Sequence, residues 1–91
     1  MLDHIRAIVR KHIPDSSFKL FVFGSRAVGS AKKYSDYDIG LEGNAPVPLG
    51  VLGEISADLE ESDIPYHVDV VDFYEIDQVF RTIAFQKIQS L

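Results

Sequence analysis

Two carboxylates, Asp36 and Asp38, stand two residues apart in Ser35-Asp36-Tyr37-Asp38-Ile39, and a third, Asp69, lies inside the run His67-Val68-Asp69-Val70-Val71. On a strand rising about 3.3 Å per residue, the first pair projects from one face roughly 6.6 Å apart. Carboxylates with that reach can grip two divalent ions about 3.5–4 Å apart, the separation used in phosphoryl transfer. Hard oxygen donors, in a chain without cysteine and with no histidine at coordinating spacing, favour Mg²⁺ or Mn²⁺ over zinc. The competing reading is two carboxylates at a wet strand edge, paired with Lys32 or Lys33. Asp69 bears on the choice. If its strand neighbours that of Asp36 and Asp38, a third carboxylate joins their face, able to hold one metal and take a proton from an attacking hydroxyl.

Upstream lies Phe23-Gly24-Ser25-Arg26-Ala27-Val28-Gly29. Gly24 and Gly29 bracket four residues as in a Walker A loop, but Ser30 and Ala31 stand where that loop needs Lys and Ser or Thr. The dinucleotide pattern G-x-G-x-x-G is absent. An EF-hand loop beginning at Asp36 fails at Gly40 and Leu41, where it needs an oxygen ligand and then glycine. What remains is a strand that ends in Gly-Ser at the start of a helix, where free backbone N–H groups favour an anion. An ordinary turn with Ser25 as N-cap is the alternative.

The elements that must position these residues follow from periodicity. Leu2, Ile5, Ile8, Val9 and Ile13 recur at helical spacing before Pro14, which predicts a helix over 2–13. The segment 17–24 is a short β-prone run with bulky apolar side chains on both faces, suited to a strand in the middle of a sheet. A short helix over residues 25–31 follows, then a strand over 35–42 with Asp36, Asp38 and Gly40 on one face and Tyr37, Ile39 and Leu41 on the other. The Pro- and Gly-rich residues 43–50 read as a loop. A helix over about 48–61, a strand over 66–73 and a C-terminal helix marked by Ile76, Val79, Phe80, Ile83 and Ile88 complete the order. Asp72 and Glu75 stand at capping-box spacing at the start of that last helix. The plan is α/β (α+β), a small mixed sheet of about three or more strands with flanking helices.

With 91 residues, 46% apolar and 25% charged, the chain reads as one domain over 1–91 with a single core. No apolar run approaches the ~20 residues of a membrane span, and residues 1–13 lack the pattern of a signal peptide. The cysteine-free composition suits a reducing cytoplasm. A net charge of −5 opposes stable, sequence-independent binding of nucleic acid, while the concentration of positive charge in the first third suits a small anion pocket there.

Taken in order, Gly24-Ser25-Arg26-Ala27-Val28-Gly29, then Ser35-Asp36-Tyr37-Asp38-Ile39, then His67-Val68-Asp69-Val70-Val71 resemble the nucleotidyltransferase superfamily of DNA polymerase beta, and more closely its minimal members, the MNT proteins. The resemblance covers almost the whole chain and implies a nucleotidyltransferase fold. It implies that Gly24 and Ser25 hold the β- and γ-phosphates of ATP or another NTP. Asp36 and Asp38 would then ligate two Mg²⁺ ions, and Asp69 would ligate the catalytic one and help activate an acceptor hydroxyl. Arg26 becomes a candidate phosphate contact, with a solvated helix residue as the alternative. MNT proteins are commonly paired with helical HEPN-family proteins in modules resembling toxin–antitoxin systems. The resemblance therefore implies either transfer of AMP to a tyrosine of such a partner or neutralisation of the partner by binding alone. Phe85, off the apolar stripe of the last helix, and Tyr34 and Tyr37, flanking the acidic face, are the candidate contacts. The oligomeric state, homo- or hetero-, stays open.

Overall fold

The helical spacing at the N-terminus is realised as α1 (Leu2–His12), with Asp3 in its first turn and Arg10, Lys11 and His12 in its last, each complementing the helix dipole. The computed structural model describes residues 1–14, 17–28, 36–74 and 76–91. After α1 come β1 (Lys19–Phe23), α2 (Ser25–Val28), β2 (Tyr37–Glu42), α3 (Val51–Glu61), β3 (Val68–Asp72), α4 (Gln78–Phe85) and β4 (Gln89–Ser90). The expected extension of α2 to Ala31 lies outside the described residues, as do Lys32, Lys33, Tyr34, Ser35 and Glu75. α3 starts three residues later than the spacing suggests. Gly50 occupies the left-handed region at its N-cap (φ 86°), a conformation that glycine adopts without a steric penalty.

The four strands form a mixed sheet in the order β3-β2-β1-β4. β1 runs antiparallel to β2 and to the two-residue β4, whereas β2 and β3 are parallel and are joined through α3, since parallel neighbours need a crossover. Alternation along the strands divides the sheet into two dissimilar faces. On one, Leu20, Val22, Ile39, Leu41 and Val68 pack against Ile5, Val9, Ile55 and Leu59 of α1 and α3. On the other, Phe21, Phe23 and Phe73 join Ala84 of α4.

The second face is an aromatic cluster. Phe21 and Phe73 meet edge to face at 5.0 Å, and Phe85 lies 5.2 and 5.5 Å from them. Gly40 provides the room. A Cβ there would fall 2.3 Å from the Phe21 ring and 2.9 Å from that of Phe73, so the glycine that breaks the β2 pattern is a seat for two rings.

The C-terminal region departs from the sequence expectation in three ways. The apolar spacing suggests a helix running to Ile88, but α4 stops at Phe85 and the chain turns back to pair with β1. The cap is Asp77, whose carboxylate accepts from the N–H groups of Val79 and Phe80 at 2.9 and 3.2 Å. Asp72 instead anchors loops, accepting from Val47 N at 2.9 Å and Tyr74 N at 3.0 Å.

The inward face of α4 is also reversed. Arg81 pairs with Glu42, donates to Phe73 O at 3.2 Å and lies 4.8 Å from the Phe85 ring centroid. Those bonds turn the row Arg81, Ala84 and Phe85 towards the sheet. Val79, Phe80 and Ile83 are left 68%, 43% and 63% exposed, while Phe85, expected at the surface, packs inside. Because no flexible side-chain end can yield beneath Gly40, Gly40→Ala is expected to lose about 1–3 kcal/mol of stability, measured by urea unfolding.

Candidate functional site

Parallel pairing decides the centre of the site. Asp38 of β2 stands directly opposite Asp69 of β3 in the strand register, so both carboxylates share a face on strands about 4.8 Å apart. It is the same face as the aromatic cluster, at the strand ends that the cluster leaves uncovered. Asp36 lies just ahead of β2, exposed.

The strand pairing also brings the Gly-Ser turn to this point. Phe23, the last residue of β1, is opposite Asp38, and Gly24 follows with φ 75°. A Cβ on Gly24 would sit 2.6 Å from Oδ2 of Asp38. Glycine is needed twice over here, for the left-handed backbone and for the carboxylate pressed against it.

Three negative groups in so small a space repel one another. The Asp38 carboxyl is pushed above its ordinary value of 3.8, first by burial, then by Asp69 and then by Asp36, with His67 offsetting part of the rise. Among the described residues no salt bridge reaches any of the three. The donors are hard oxygens crowded with like charge, so they fit a divalent cation in kind. Their side chains are not already closed around one: among the described residues, no group of three or more His, Cys, Asp or Glu is placed to hold a metal together.

Arg26 is elsewhere. Its guanidinium carbon lies 4.3 Å from the ring centroid of Tyr37 and 4.8 Å from that of Tyr66, and the two rings meet edge to face at 5.5 Å. Tyr37, between the two aspartates in sequence, points away from their face and is held in this cluster. Tyr66 had no local signal, because nothing in its spacing ties it to Arg26, 40 positions earlier. A second feature without a local sequence signal is a groove of ≈ 380 Å³ bordered by Phe23, Gly24, Phe80 and Ile83. It runs from the exposed side of α4 to the glycine that touches Asp38.

The nucleotidyltransferase domain family model matches residues 2–91. A Haemophilus influenzae protein described as the probable protein adenylyltransferase MntA is 33% identical over 79 residues, which cover 87% of this chain and 68% of that protein. Among solved structures, a toxin–antitoxin complex with AMP-PNP superposes with a TM-score of 0.77 at 19% identity, over 97% of this chain and 69% of that one. The MNT antitoxin bound to a tri-AMPylated HEPN toxin of Shewanella oneidensis gives 0.69 at 18%, over 97% and 66%. At such identities the superpositions establish the fold, a nucleotidyltransferase fold with a mixed four-stranded sheet.

The charge crowding has a measurable consequence. With a folded-state value raised above 3.8, Asp38 costs nothing when protonated in both states and opposes folding once ionised. Its penalty is absent below 3.8 and complete above the raised value. Asp38→Asn is therefore expected to raise Tm at neutral pH, with the gap closing as pH falls from the raised value to 3.8 and absent below it. Thermal unfolding of both proteins across pH 3–7 checks the sign.

Proposed function

The chain belongs to the nucleotidyltransferase domain family, and on that premise we propose that it transfers AMP from ATP to a hydroxyl group, a tyrosine of a helical HEPN-type partner, releasing pyrophosphate. The observation that carries this reading is the Asp38–Asp69 register pair, with the Asp38 carboxylate pressed against Gly24. It sets a strongly anionic, cation-demanding centre beside a backbone turn with no side chain in the way.

Each residue has a separable task. Gly24 and Ser25 hold the β- and γ-phosphates, and the absent side chain of Gly24 lets the polyphosphate approach the carboxylates. Asp36, Asp38 and Asp69 would hold two Mg²⁺ ions, which when bound neutralise phosphate charge and lower the cost of the crowded carboxylates. The acceptor oxygen forms a bond to the α-phosphorus as the bond between the α-phosphorus and the bridging oxygen breaks, and pyrophosphate carries that oxygen away. The hydroxyl proton passes to the Asp69 carboxylate, which is exposed and stands on the same face.

Partner and acceptor are proposed from the relatives, which are an adenylyltransferase by description and toxin–antitoxin complexes by structure. On this chain, the row Val79, Phe80 and Ile83 replaces Phe85 and Tyr37 as the surface offered to a helical partner, since those two are packed and clamped. Tyr34 lies outside the described residues. That row also favours a second reading, an antitoxin that acts by occlusion alone. Against it stands the carboxylate cluster, which disfavours the fold and gives a purely occluding protein no return.

The two readings separate experimentally. With labelled ATP and Mg²⁺, the wild-type protein is expected to label its partner, and Asp38→Asn to reduce the rate by about 10²–10³-fold with the fold intact by circular dichroism. Retention of the wild-type rate in that variant contradicts the site assignment. Absence of labelling by either protein, with the partner still inhibited, supports occlusion. Ile83→Glu is expected to weaken the complex at least tenfold in a titration, because a charge at the centre of an apolar contact is left unpaired.

A further inference from the structure

The sequence offers Arg26 either as a phosphate contact or as a solvated helix residue, and its geometry fits neither. Its guanidinium is half-buried and packed on two rings, 4.3 Å from the Tyr37 centroid and 4.8 Å from that of Tyr66. Those rings contact each other edge to face, an arrangement in which each ring is fixed by the other as well as by the cation. Three separate segments end at this cluster. Arg26 is the second residue of α2, immediately after the Gly24–Ser25 turn. Tyr37 lies between Asp36 and Asp38, and Tyr66 lies three residues before Asp69. The last two segments are also joined by the backbone, Tyr37 N donating to His67 O at 3.0 Å.

We propose that Arg26 is a positioning residue, a clamp that sets the Gly24–Ser25 phosphate turn in register with the two segments carrying Asp36, Asp38 and Asp69. The physical need is plain. α2 spans only four residues and has little stability of its own. Ala27 closes the turn by donating to Gly24 O at 3.1 Å and packs against the aliphatic core; Arg26 adds the contact to the segments carrying the aspartates. Tyr37 alternates to the face opposite Asp38, so the clamp grips the rear of β2 while the front stays open for substrate. A planar guanidinium can stack on two rings at once. A lysine ammonium has no such plane.

This proposal rests on the transfer reading given above, so its test includes a measurement that needs neither nucleotide nor turnover. In the ligand-free protein, amide hydrogen exchange at Ala27 reports closure of the turn. Arg26→Met is expected to speed that exchange about tenfold while Tm moves by only a few degrees. In steady-state transfer, the same variant is expected to raise the KM for nucleotide about tenfold with a smaller change in kcat. Tyr66→Leu, altered at the far end of the clamp, should reproduce both effects. The double variant should be no worse than either single one, because the two act as a unit.

Arg26→Lys discriminates further. A clamp predicts that it behaves like Arg26→Met, whereas a direct phosphate contact predicts that the retained charge restores most of the affinity. Near-wild-type behaviour of Arg26→Lys, an unchanged KM in Tyr66→Leu, or losses that multiply in the double variant would each overturn the proposal. If the wild-type protein transfers no nucleotide, the functional reading fails. The exchange rates still decide whether the clamp exists: unchanged exchange in Arg26→Met and Tyr66→Leu refutes it.

Discussion

Mutual repulsion between Asp38 and Asp69, held opposite each other by the parallel register of β2 and β3, is the constraint around which the rest of this small protein is organised. Folding places these carboxylates together despite the cost, with Asp36 close enough to add to it. A register shift of one residue would send Asp69 to the opposite face and relieve the repulsion. It would also expose Val68 and Val70 and bury a carboxylate among Ile39, Leu41 and Ile55. The apolar core under α1 and α3 therefore holds the acidic face in place from behind.

The two faces of the sheet divide the labour. The aliphatic face is closed by two eleven-residue helices and supplies most of the buried side chains. The aromatic face is only half covered, by an eight-residue helix tethered through Arg81 to Glu42 and the Phe73 carbonyl. Where that cover ends, Gly24 and the carboxylates are open. The uncovered site and the exposed row on α4 thus have one origin, a short helix placed to leave the strand ends clear.

Electrostatics sharpen the contrast. At the α1–α3 contact, His12 lies 2.5 Å from Asp58, and this partner holds the Asp58 carboxyl below its ordinary value, with Lys11 adding to the effect. That carboxylate favours the fold when ionised and ceases to do so as acid protonates it. Asp38 is shifted the opposite way. One carboxylate is thus held down by a neighbouring partner, and another is pushed up by burial and by its acidic neighbours at the candidate site.

Helix α1, the three longer strands and the alternation that sets Asp38 opposite in face to Tyr37 and Ile39 were legible in the sequence because they depend on local periodicity. The same is true of the Gly-Ser turn, since a glycine breaking a β-prone run is a local backbone signal. The end of the last helix was not. Ile76, Val79, Phe80 and Ile83 have the spacing of a buried stripe, and Ile76, ahead of the helix, packs on the aromatic cluster; yet Arg81, through bonds to distant partners, leaves Val79, Phe80 and Ile83 exposed. The spacing of Asp72 and Glu75 pointed to a cap, but Asp72 is taken up by the loop contacts at Val47 and Tyr74, and Asp77 caps the helix instead.

What the sequence determined by itself was the inventory: which side chains could bind metal and phosphate, in what order, on which strand faces. Tertiary structure alone decided which strand lies beside which, that Asp69 faces Asp38, and that Arg26 turns from solvent onto Tyr37 and Tyr66. The reason is one of range. Periodicity and turn chemistry act over a few residues, whereas register and ring stacking join groups 30 to 40 positions apart, whose contact exists only once the sheet has formed.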